Sequence, residues 1–389
     1  MIPIRYNIRS LAVRKATTVA TALGIALVVF VLASALMLAN GIKKTLSVSG
    51  QSDVAIVLRK GSDNELGSVI EVGAINTIMG TPGVKKDEKN APIGVGEIIV
   101  VGAMEKIGAA GVTNVQIRGV PTNAMQFRPD VTIVDGRAPV PGKDEVIVGQ
   151  RIRGRFRGTD LGQTFNLRKN RPVTVVGVFS ASGSSYESEV WVDVDTLRAA
   201  YSRPGIVSSV RVRLESPDKF DGFRASMESD KQFGFLAMRD AEYFDKQSEG
   251  TSIFVGALGG VISFFFSIGA MIGAMITMYA AVANRQREIG TLRALGFSRG
   301  SILFSFLVES VILALVGGAV GALAALGMQF VKFSMMNFQS WSEIVFTFEP
   351  TPAIIFRALF FALMMGLIGG FFPALRAARV SPVVAMRGG

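Results

Sequence analysis

Long stretches without charge, one near the N-terminus and three in the last third, dominate the hydrophobic pattern of the chain. Each meets the roughly 18-residue length that a membrane-spanning helix requires. Apart from Glu309, no charged residue lies in residues 16–42, 250–284, 300–331 or 358–375. The sequence therefore predicts a membrane protein with four transmembrane α-helices, which we place at residues 16–42, 250–284, 300–331 and 351–375.

Residues 43–249, between the first and second stretches, have short β-branched runs bounded by Gly, Pro, Asp or Asn. Such runs are typical of strands and turns. Strands are predicted at residues 54–58, 97–101, 115–119, 145–148, 172–179, 189–194 and 207–214, and helices at residues 68–79, 196–201 and 219–228. The expected fold class is a membrane protein with a large α+β extracytoplasmic domain inserted between its first and second transmembrane helices.

Lysine and arginine are concentrated in residues 1–15, 285–299 and 376–389, which flank the apolar stretches. Residues 332–350, between the third and fourth helices, lack this excess. Because positively charged loops remain in the cytoplasm, we expect both termini and residues 285–299 on the cytoplasmic side. Residues 43–249 and 332–350 are then outside, and residues 1–15 are predicted to form an amphipathic segment at the membrane surface.

The composition narrows the function. Hydrophobic residues make up 49% of the chain and charged residues 18%, which suits a membrane protein with a sizeable polar domain. The net charge of +11 indicates contact with anionic membrane lipids rather than with nucleic acid. Histidine and cysteine are absent, so the chain lacks disulfides and the commonest metal ligand and general base. We expect no catalysis by this chain and no metal or cofactor of its own.

Glu309 is the one ionisable residue deep within a predicted membrane helix. It lies about 15 Å beyond Arg299 at about 1.5 Å per residue, near the centre of the bilayer. A carboxylate is costly there, which favours a specific role. Glu309 either bonds a neighbouring helix, protonated or paired with Ser310, Thr277 or Ser305, or takes part in moving protons or substrate.

Glycines recur four positions apart in the last three predicted membrane helices. The pairs are Gly256 and Gly260, Gly269 and Gly273, Gly317 and Gly321, and Gly366 and Gly370. This spacing allows close helix approach in membranes, where packing drives association. The pattern predicts a tightly packed bundle or dimer.

Two motifs beside the membrane helices resemble the signatures of a known family. Residues 287–296 read REIGTLRALG, and residues 372–382 read FPALRAARVSP. Both are similar to the signatures of FtsX-like, MacB-type permeases of ATP-binding-cassette (ABC) systems. In the inserted domain, similarity to the MacB-type periplasmic core is found at residues 135–137, 144–149, 173–179 and 189–192.

The resemblance implies a permease subunit in the bacterial inner membrane, as a homodimer or as a heterodimer with a similar chain. ATP hydrolysis would move its periplasmic domains, a process called mechanotransmission, to export or release a substrate at the outer face. Because the sequence has no Gly-x-x-x-x-Gly-Lys-Ser/Thr loop, ATP and Mg²⁺ are expected in two copies of a separate ATPase subunit. A periplasmic adaptor or substrate protein is a further expected partner. The alternative is a non-transporting, FtsX-like transmitter that activates a cell-wall hydrolase.

Coupling to the ATPase is expected at residues 285–299, the connecting segment. Its candidate residues are Arg287, Glu288, Ile289, Leu292, Arg293, Leu295 and Gly296. In a helix, the apolar members of this set form an edge that suits docking into a groove on another protein. The alternative is a solvated helix whose arginines contact lipid phosphates.

Two polar segments of the inserted domain are predicted to be exposed to solvent rather than to bind a partner. The Ser-rich and Gly-containing residues 180–189 are predicted to form a solvent-exposed linker rather than a partner site. Arg151, Arg153, Arg155 and Arg157 alternate along the chain and are expected to form a solvated face rather than to bind an anionic surface.

Overall fold

The computed structural model describes residues 15–108, 111–229 and 234–381. The predicted amphipathic segment therefore lies outside the described residues, except for Lys15. Contacts divide the chain into two compact units. We call residues 15–40, 253–331 and 348–381 the membrane-helix unit, and residues 41–252 and 332–347 the sheet unit.

Helices are numbered in chain order across the described residues. They are α1 (Lys15–Ser47), α2 (Val72–Met79), α3 (Ala124–Phe127), α4 (Val194–Ala200), α5 (Phe220–Ser229), α6 (Asp240–Asn284), α7 (Gln286–Ala294), α8 (Arg299–Leu326) and α9 (Pro352–Ala378). Four of these helices, α1, α6, α8 and α9, are long and apolar enough to cross a membrane. They correspond to the four apolar stretches of the sequence.

Helices α1, α6 and α9 extend beyond their apolar stretches, and α9 runs from Pro352 to Ala378 rather than over residues 358–375 alone. Helix α1 continues to Ser47, and α6 begins at Asp240 rather than at residue 250. The first turns of α6 carry Asp240, Glu242 and further charged residues, so hydropathy alone does not include them in the helix. Helix α6 is one uninterrupted helix whose first turns belong to the sheet unit and whose remainder belongs to the membrane-helix unit.

The strands of the described residues are also numbered in chain order. They are β1 (Val54–Arg59), β2 (Ile70–Glu71), β3 (Gly94–Glu105), β4 (Val112–Val120), β5 (Thr132–Gly136), β6 (Glu145–Gly149), β7 (Thr164–Arg168), β8 (Arg171–Ser180), β9 (Glu189–Asp193), β10 (Ile206–Val207), β11 (Ser209–Arg213), β12 (Phe235–Arg239), β13 (Lys332–Asn337) and β14 (Ser342–Thr347).

Most of these strands form one ten-stranded sheet in the order β12-β1-β11-β3-β4-β9-β6-β8-β5, with β7 paired to β8. The pairs β4–β9 and β6–β8 are parallel, and the other pairs in this sheet are antiparallel. One apolar core involves β4, β6, β8 and β9 and includes Ile117, Val148 and Val190. A second core packs β1, β11 and β12 with α2 and α5 through Ile78 and Phe223. Alternating side chains of β-branched strands supply both cores.

The structure corrects the expected course of two segments. Residues 207–214 are divided into β10 and β11 at Ser208, whose hydroxyl accepts a hydrogen bond from the Ile99 amide. Residues 332–350 were expected to form a loop, but β13 and β14 make an antiparallel hairpin there. Hydropathy does not detect this hairpin because its apolar residues run on from the end of α8.

The expectation of an exposed linker at residues 180–189 is wrong. Ser185–Ser188 form a buried 3₁₀ turn, and Glu187 Oε1 accepts hydrogen bonds from the amides of Ala181 and Gly183. Serine hydroxyls and backbone amides find partners inside the sheet unit, so a polar sequence is buried here. The expectation of a solvated face holds for Arg153 and Arg157, which are exposed and pair with Asp135 and Glu105. Arg151 and Arg155 are more buried and pair with Glu187 and Glu343.

Candidate coupling site

The connecting segment contains a short helix with well-defined ends. Helix α7 stops where Gly296 adopts a φ of +94°, a left-handed conformation that glycine takes without steric cost. Ser298 then caps α8, since its hydroxyl accepts a hydrogen bond from the Ser301 amide. Arg293 Nη1 donates to the carbonyl oxygen of Phe297 at 2.9 Å. These contacts fix the turn between α7 and α8.

The apolar edge of α7 faces the chain's own helices. Ile289 is 2% exposed and packs in one cluster with Ile302 and Phe306 of α8 and Ala374 of α9. Leu292 packs against the same cluster. Burial of these side chains removes apolar area from water and from lipid contact and holds α7 against α8. Ile289 and Leu292 are thus core residues of the membrane-helix unit.

The outward surface of α7 is polar with one large apolar residue. Arg287 and Glu288 are exposed, and so is Leu295, at 72%. The predicted apolar edge therefore needs correction, because only its end at Leu295 and Gly296 is open to another protein. A partner would meet Arg287, Glu288 and Leu295 together.

An ion pair joins the start of the connecting segment to the middle of α8. Arg285 Nη1 lies 3.2 Å from Glu309 Oε2, and the two side chains are 8% and 4% exposed. Arg285 Nε also donates to Glu288 Oε2 at 3.0 Å, and its guanidinium lies over the ring of Phe306. Arg285 thus links α7 to α8 through charge, hydrogen bonding and a cation–π contact.

Arg285 was not among the partners expected for Glu309. Ser310 donates its hydroxyl hydrogen bond to the carbonyl oxygen of Gly366, and Thr277 bonds the hydroxyl of Thr21 at 3.0 Å. Sequence reasoning missed Arg285 because it placed this arginine among the solvated residues of the connecting segment. The signal available was the charge pattern, since a buried carboxylate calls for a cation and Arg285 is the first one after the uncharged stretch.

The glycine pairs divide into packed and open positions. A Cβ added at Gly317 would lie 2.6 Å from the carbonyl oxygen of Ala22, and one at Gly366 would lie 2.6 Å from Ala314 Cβ. Gly321 and Gly370 are equally restricted, by Ala26 and Ser310 respectively. These glycines let α8 approach α1 and let α9 approach α8 closely.

The paired glycines of α6 are less restricted. An added Cβ at Gly256 would lie 3.8 Å from Ala39, and at Gly260, Gly269 and Gly273 it would meet nothing within 4 Å. Gly269 and Gly273 line an apolar groove of about 490 Å³ between α6 and α1. These two positions therefore form an open face of the described membrane helices.

The sheet unit has a buried charge cluster where its strands meet the start of α6. Arg118 Nε lies 2.7 Å from Glu189, and its Nη1 lies 3.0 Å from Glu97. Arg211 lies 2.6 Å from Glu65 and 2.9 Å from Asp240. Arg128 completes the cluster with a two-pronged hydrogen bond to Glu97. The cluster joins β3, β4, β9 and β11 to the first residue of α6.

The ionised states of Glu97 and Arg118 are stabilised by their partners in this cluster, whereas burial raises the pKa of Asp240. Burial opposes ionisation of Glu97, but the guanidinium groups of Arg128, Arg118 and Arg211 outweigh it and lower the pKa of Glu97. Burial likewise opposes the charge on Arg118, and Glu189, Glu65 and Glu97 outweigh it and raise the pKa of Arg118.

Sequence reasoning overlooked this cluster although a pattern existed. Gln116 and Arg118 alternate with Val115 and Ile117, so one face of β4 is apolar and the other is polar. Both faces are buried, which the alternation alone does not reveal. In the described part of the chain, no group of three or more His, Cys, Asp or Glu residues could hold a metal ion.

Comparison with known families agrees with this architecture. Residues 18–230 match the family model described as MacB-like periplasmic core domain, and residues 260–382 match the one described as FtsX-like permease C-terminal. Together with the four membrane-type helices, these matches define the class of the protein as an ABC transporter permease. The chain belongs to the family of FtsX-like permeases with a MacB-like periplasmic core domain, which confirms the resemblance drawn from its motifs.

Individual relatives are distant in sequence. The chain is 25% identical over 402 residues to the uncharacterized ABC transporter permease YknZ of Bacillus subtilis, covering 99% of this chain and 98% of YknZ. It is 28% identical over 230 residues to the macrolide export ATP-binding/permease protein MacB of Escherichia coli K12, covering 56% of this chain and 34% of MacB. The crystal structure of the periplasmic region of MacB from Actinobacillus actinomycetemcomitans aligns with a TM-score of 0.39 at 12% identity, over 54% of this chain and 97% of that one.

Proposed function

We propose that this permease transmits ATP-driven movement from the connecting segment to its sheet unit, and that this movement exports or releases a substrate at the outer face of the bacterial inner membrane. In this proposal the termini and the connecting segment are cytoplasmic, and the sheet unit is periplasmic. The ATPase is a separate subunit in two copies, which carry the ATP and Mg²⁺.

The continuity of α6 is the observation that carries the proposal. Its first residue, Asp240, is bound by Arg211 in the buried charge cluster, and its last residue, Asn284, adjoins Arg285 of the connecting segment. Helical backbone is hydrogen-bonded along its whole length and resists bending in the absence of proline. A displacement of the connecting segment is therefore passed along α6 to the sheet unit.

The connecting segment is suited to receive the displacement. Its apolar residues Ile289 and Leu292 are packed on α8 and α9, and Arg285 is paired with Glu309, so α7 cannot move without the helices it contacts. Arg287, Glu288 and Leu295 remain on the outside for an ATPase. Arginine is enriched in protein interfaces and among their energetically dominant residues, which supports a contact through Arg287.

Dimerisation is assigned to the open face of α6 and α1. The groove lined by Gly269 and Gly273 is apolar, and the described residues leave it uncovered. A helix of a second copy, or of a similar chain, would pack there through small residues. An adaptor or substrate protein would contact the sheet unit.

Purification of the intact complex from native membranes tests the proposal. We expect an ATPase subunit to co-purify with the chain, and the paired substitutions Arg287→Ala and Leu295→Asp to reduce the amount retained at least about tenfold, as expected for central interface residues. Arg299→Ala is the matched control, because Arg299 is exposed in the same segment but lies beyond the α7 surface. Retention of the ATPase at the wild-type level by the paired variant, or its absence from the wild-type complex, would contradict the proposal.

A further inference from the structure

The hairpin of β13 and β14 connects α8 to α9 and belongs to the sheet unit. Its strands pair in register from Lys332 and Thr347 to Asn337 and Ser342. The tip is held by Asn337, whose Oδ1 accepts hydrogen bonds from the amides of Gln339 and Ser340. The third and fourth membrane-type helices are thus joined by an ordered element rather than by a free loop.

Strand β14 is buried as deeply as the core strands of the sheet unit. Ile344, Val345 and Phe346 are each at most 5% exposed. The Val345 amide donates to Ser188 Oγ at 3.1 Å, and Arg151 Nη1 donates to the Val345 carbonyl oxygen at 2.6 Å. Side chains from residues 41–252 of the sheet unit therefore form hydrogen bonds with buried backbone groups of β14.

A carboxylate of the same strand makes further contacts in the sheet unit. Glu343 is 7% exposed and lies 3.0 Å from Lys106 Nζ and 2.7 Å from Arg155 Nη2. Burial opposes ionisation of Glu343, but hydrogen bonds from Ser334 and Lys106 and the charge of Arg155 outweigh it and lower its pKa. Partly buried pairs with two cations resist separation more than surface pairs do.

We propose that Glu343, Lys106 and Arg155 form a clamp that keeps the hairpin attached to the sheet unit throughout the transport cycle, so that α8 and α9 transmit movement as well as α1 and α6. This inference rests on the proposed function, and it adds a second connection to the one through α6. The buried strand and the paired Glu343 make the clamp a permanent attachment, because opening it would expose β14 and separate three charges.

The clamp can be tested first without ATP. In the full-length complex, Glu343→Gln keeps the size of the side chain but removes its charge. The hydrogen bonds from Lys106 and Arg155 then lose the contribution of the negative charge that accepts them. We therefore expect hydrogen exchange of the β14 amides to accelerate about tenfold or more. Asp144→Asn is the matched control, since it removes the partner of Arg171 at an exposed site of the same unit. Unchanged exchange in β14 would overturn the clamp.

The role of the clamp in transmission can be tested with introduced cysteines. No native cysteine has to be removed first, because the sequence contains none. The double variant Lys106→Cys and Glu343→Cys removes the ion pair and allows a bifunctional thiol reagent to replace it with a covalent tether. Because α6 still connects the two units in this variant, we expect it to lose part of the ATP-dependent change in hydrogen exchange of the sheet unit, and the tether to restore that part. A monofunctional thiol reagent should restore nothing.

The outcomes separate this inference from the proposed function. Full ATP-dependent exchange changes in the untethered double variant, or loss of these changes on tethering, would overturn the clamp as a permanent connection. A wild-type complex without any ATP-dependent change would instead overturn the proposed function, while the exchange of β14 in Glu343→Gln would still decide whether the clamp exists.

Discussion

The guanidinium of Arg285 lies 3.2 Å from the carboxylate of Glu309, and both side chains are buried among the helices of the membrane-helix unit. A buried pair of this kind repays its desolvation only while both partners are present. Its position explains why a carboxylate is tolerated in the otherwise uncharged residues 300–331. It also ties the connecting segment to α8 at the point where α6 ends.

Removal of one partner of this pair should be more damaging than removal of both. Glu309→Leu removes the buried partner of Arg285 and leaves it the exposed Glu288, and we expect a loss of about 3 kcal/mol in the free energy of unfolding. Arg285→Met combined with Glu309→Leu should recover most of this loss. Thermal unfolding of each purified variant in the same detergent measures the two losses of stability. Equal losses in the single and the double variant would show that Arg285 and Glu309 do not compensate each other's burial.

The charge cluster of the sheet unit should make stability depend on pH. Since the pKa of Glu97 is lowered in the folded protein from an ordinary value near 4.5, its contribution is present above that value and is lost as pH falls through the lower folded pKa. Glu97→Gln should therefore be destabilised by about 3–5 kcal/mol at neutral pH. The difference in the free energy of unfolding between the wild type and Glu97→Gln should become smaller between pH 5 and pH 3. Unfolding curves recorded at each pH measure this difference. A gap that stays constant over this range would contradict the assignment.

Glycine substitutions should separate packed from open positions on the membrane-type helices. Gly317→Ala forces a methyl group against the Ala22 carbonyl, and overpacking of this kind costs about 1–3 kcal/mol. Gly260→Ala is the matched control, because nothing lies within 4 Å of its added Cβ and alanine favours the helix. Comparison of the two melting temperatures checks the prediction, which fails if Gly260→Ala is the less stable variant.

Self-association should depend on the groove between α6 and α1. Gly269→Leu places a side chain in this groove, and nothing in its own chain lies within 4 Å of the added Cβ, so most of the stability of the monomer should be kept. If a second helix packs there, the substitution should weaken the dimer about tenfold or more, because close backbone approach is lost. Fluorescence energy transfer between two labelled copies in lipid vesicles measures this, and undiminished transfer would place the dimer contact elsewhere.

Much of the fold could be predicted because the type of each helix or strand is determined largely by the residues within that segment. Uncharged stretches as long as a bilayer predict α1, α6, α8 and α9, and runs of β-branched residues predict strands such as β8. The start of α6 at Asp240 escaped prediction because its first turns are amphipathic and are stabilised by the sheet unit. The motif at residues 287–296 indicated the family but not which side of α7 is buried.

The contacts that define the candidate site depend on distant parts of the chain. Glu309 and Arg285 lie on different helices, and the polar residues 184–189 are buried only because partners such as Ser49 lie beside them in the folded unit. Hydropathy treats Arg285 and residues 184–189 as solvated and Glu309 as an isolated charge, since it does not include partners. Charge balance is the one sequence signal that could have connected Glu309 with an arginine.

The two tryptophans of the chain occupy opposite environments. Trp191 is completely buried, donates to Glu189 and lies beside Arg128 in the charge cluster, whereas Trp341 is 56% exposed at the tip of the hairpin. Indole emission shifts to longer wavelength on contact with water, so the two side chains emit differently and only Trp341 is open to a soluble quencher such as iodide. The unlabelled protein therefore contains its own optical reporters, one for the interior of the sheet unit and one for the hairpin.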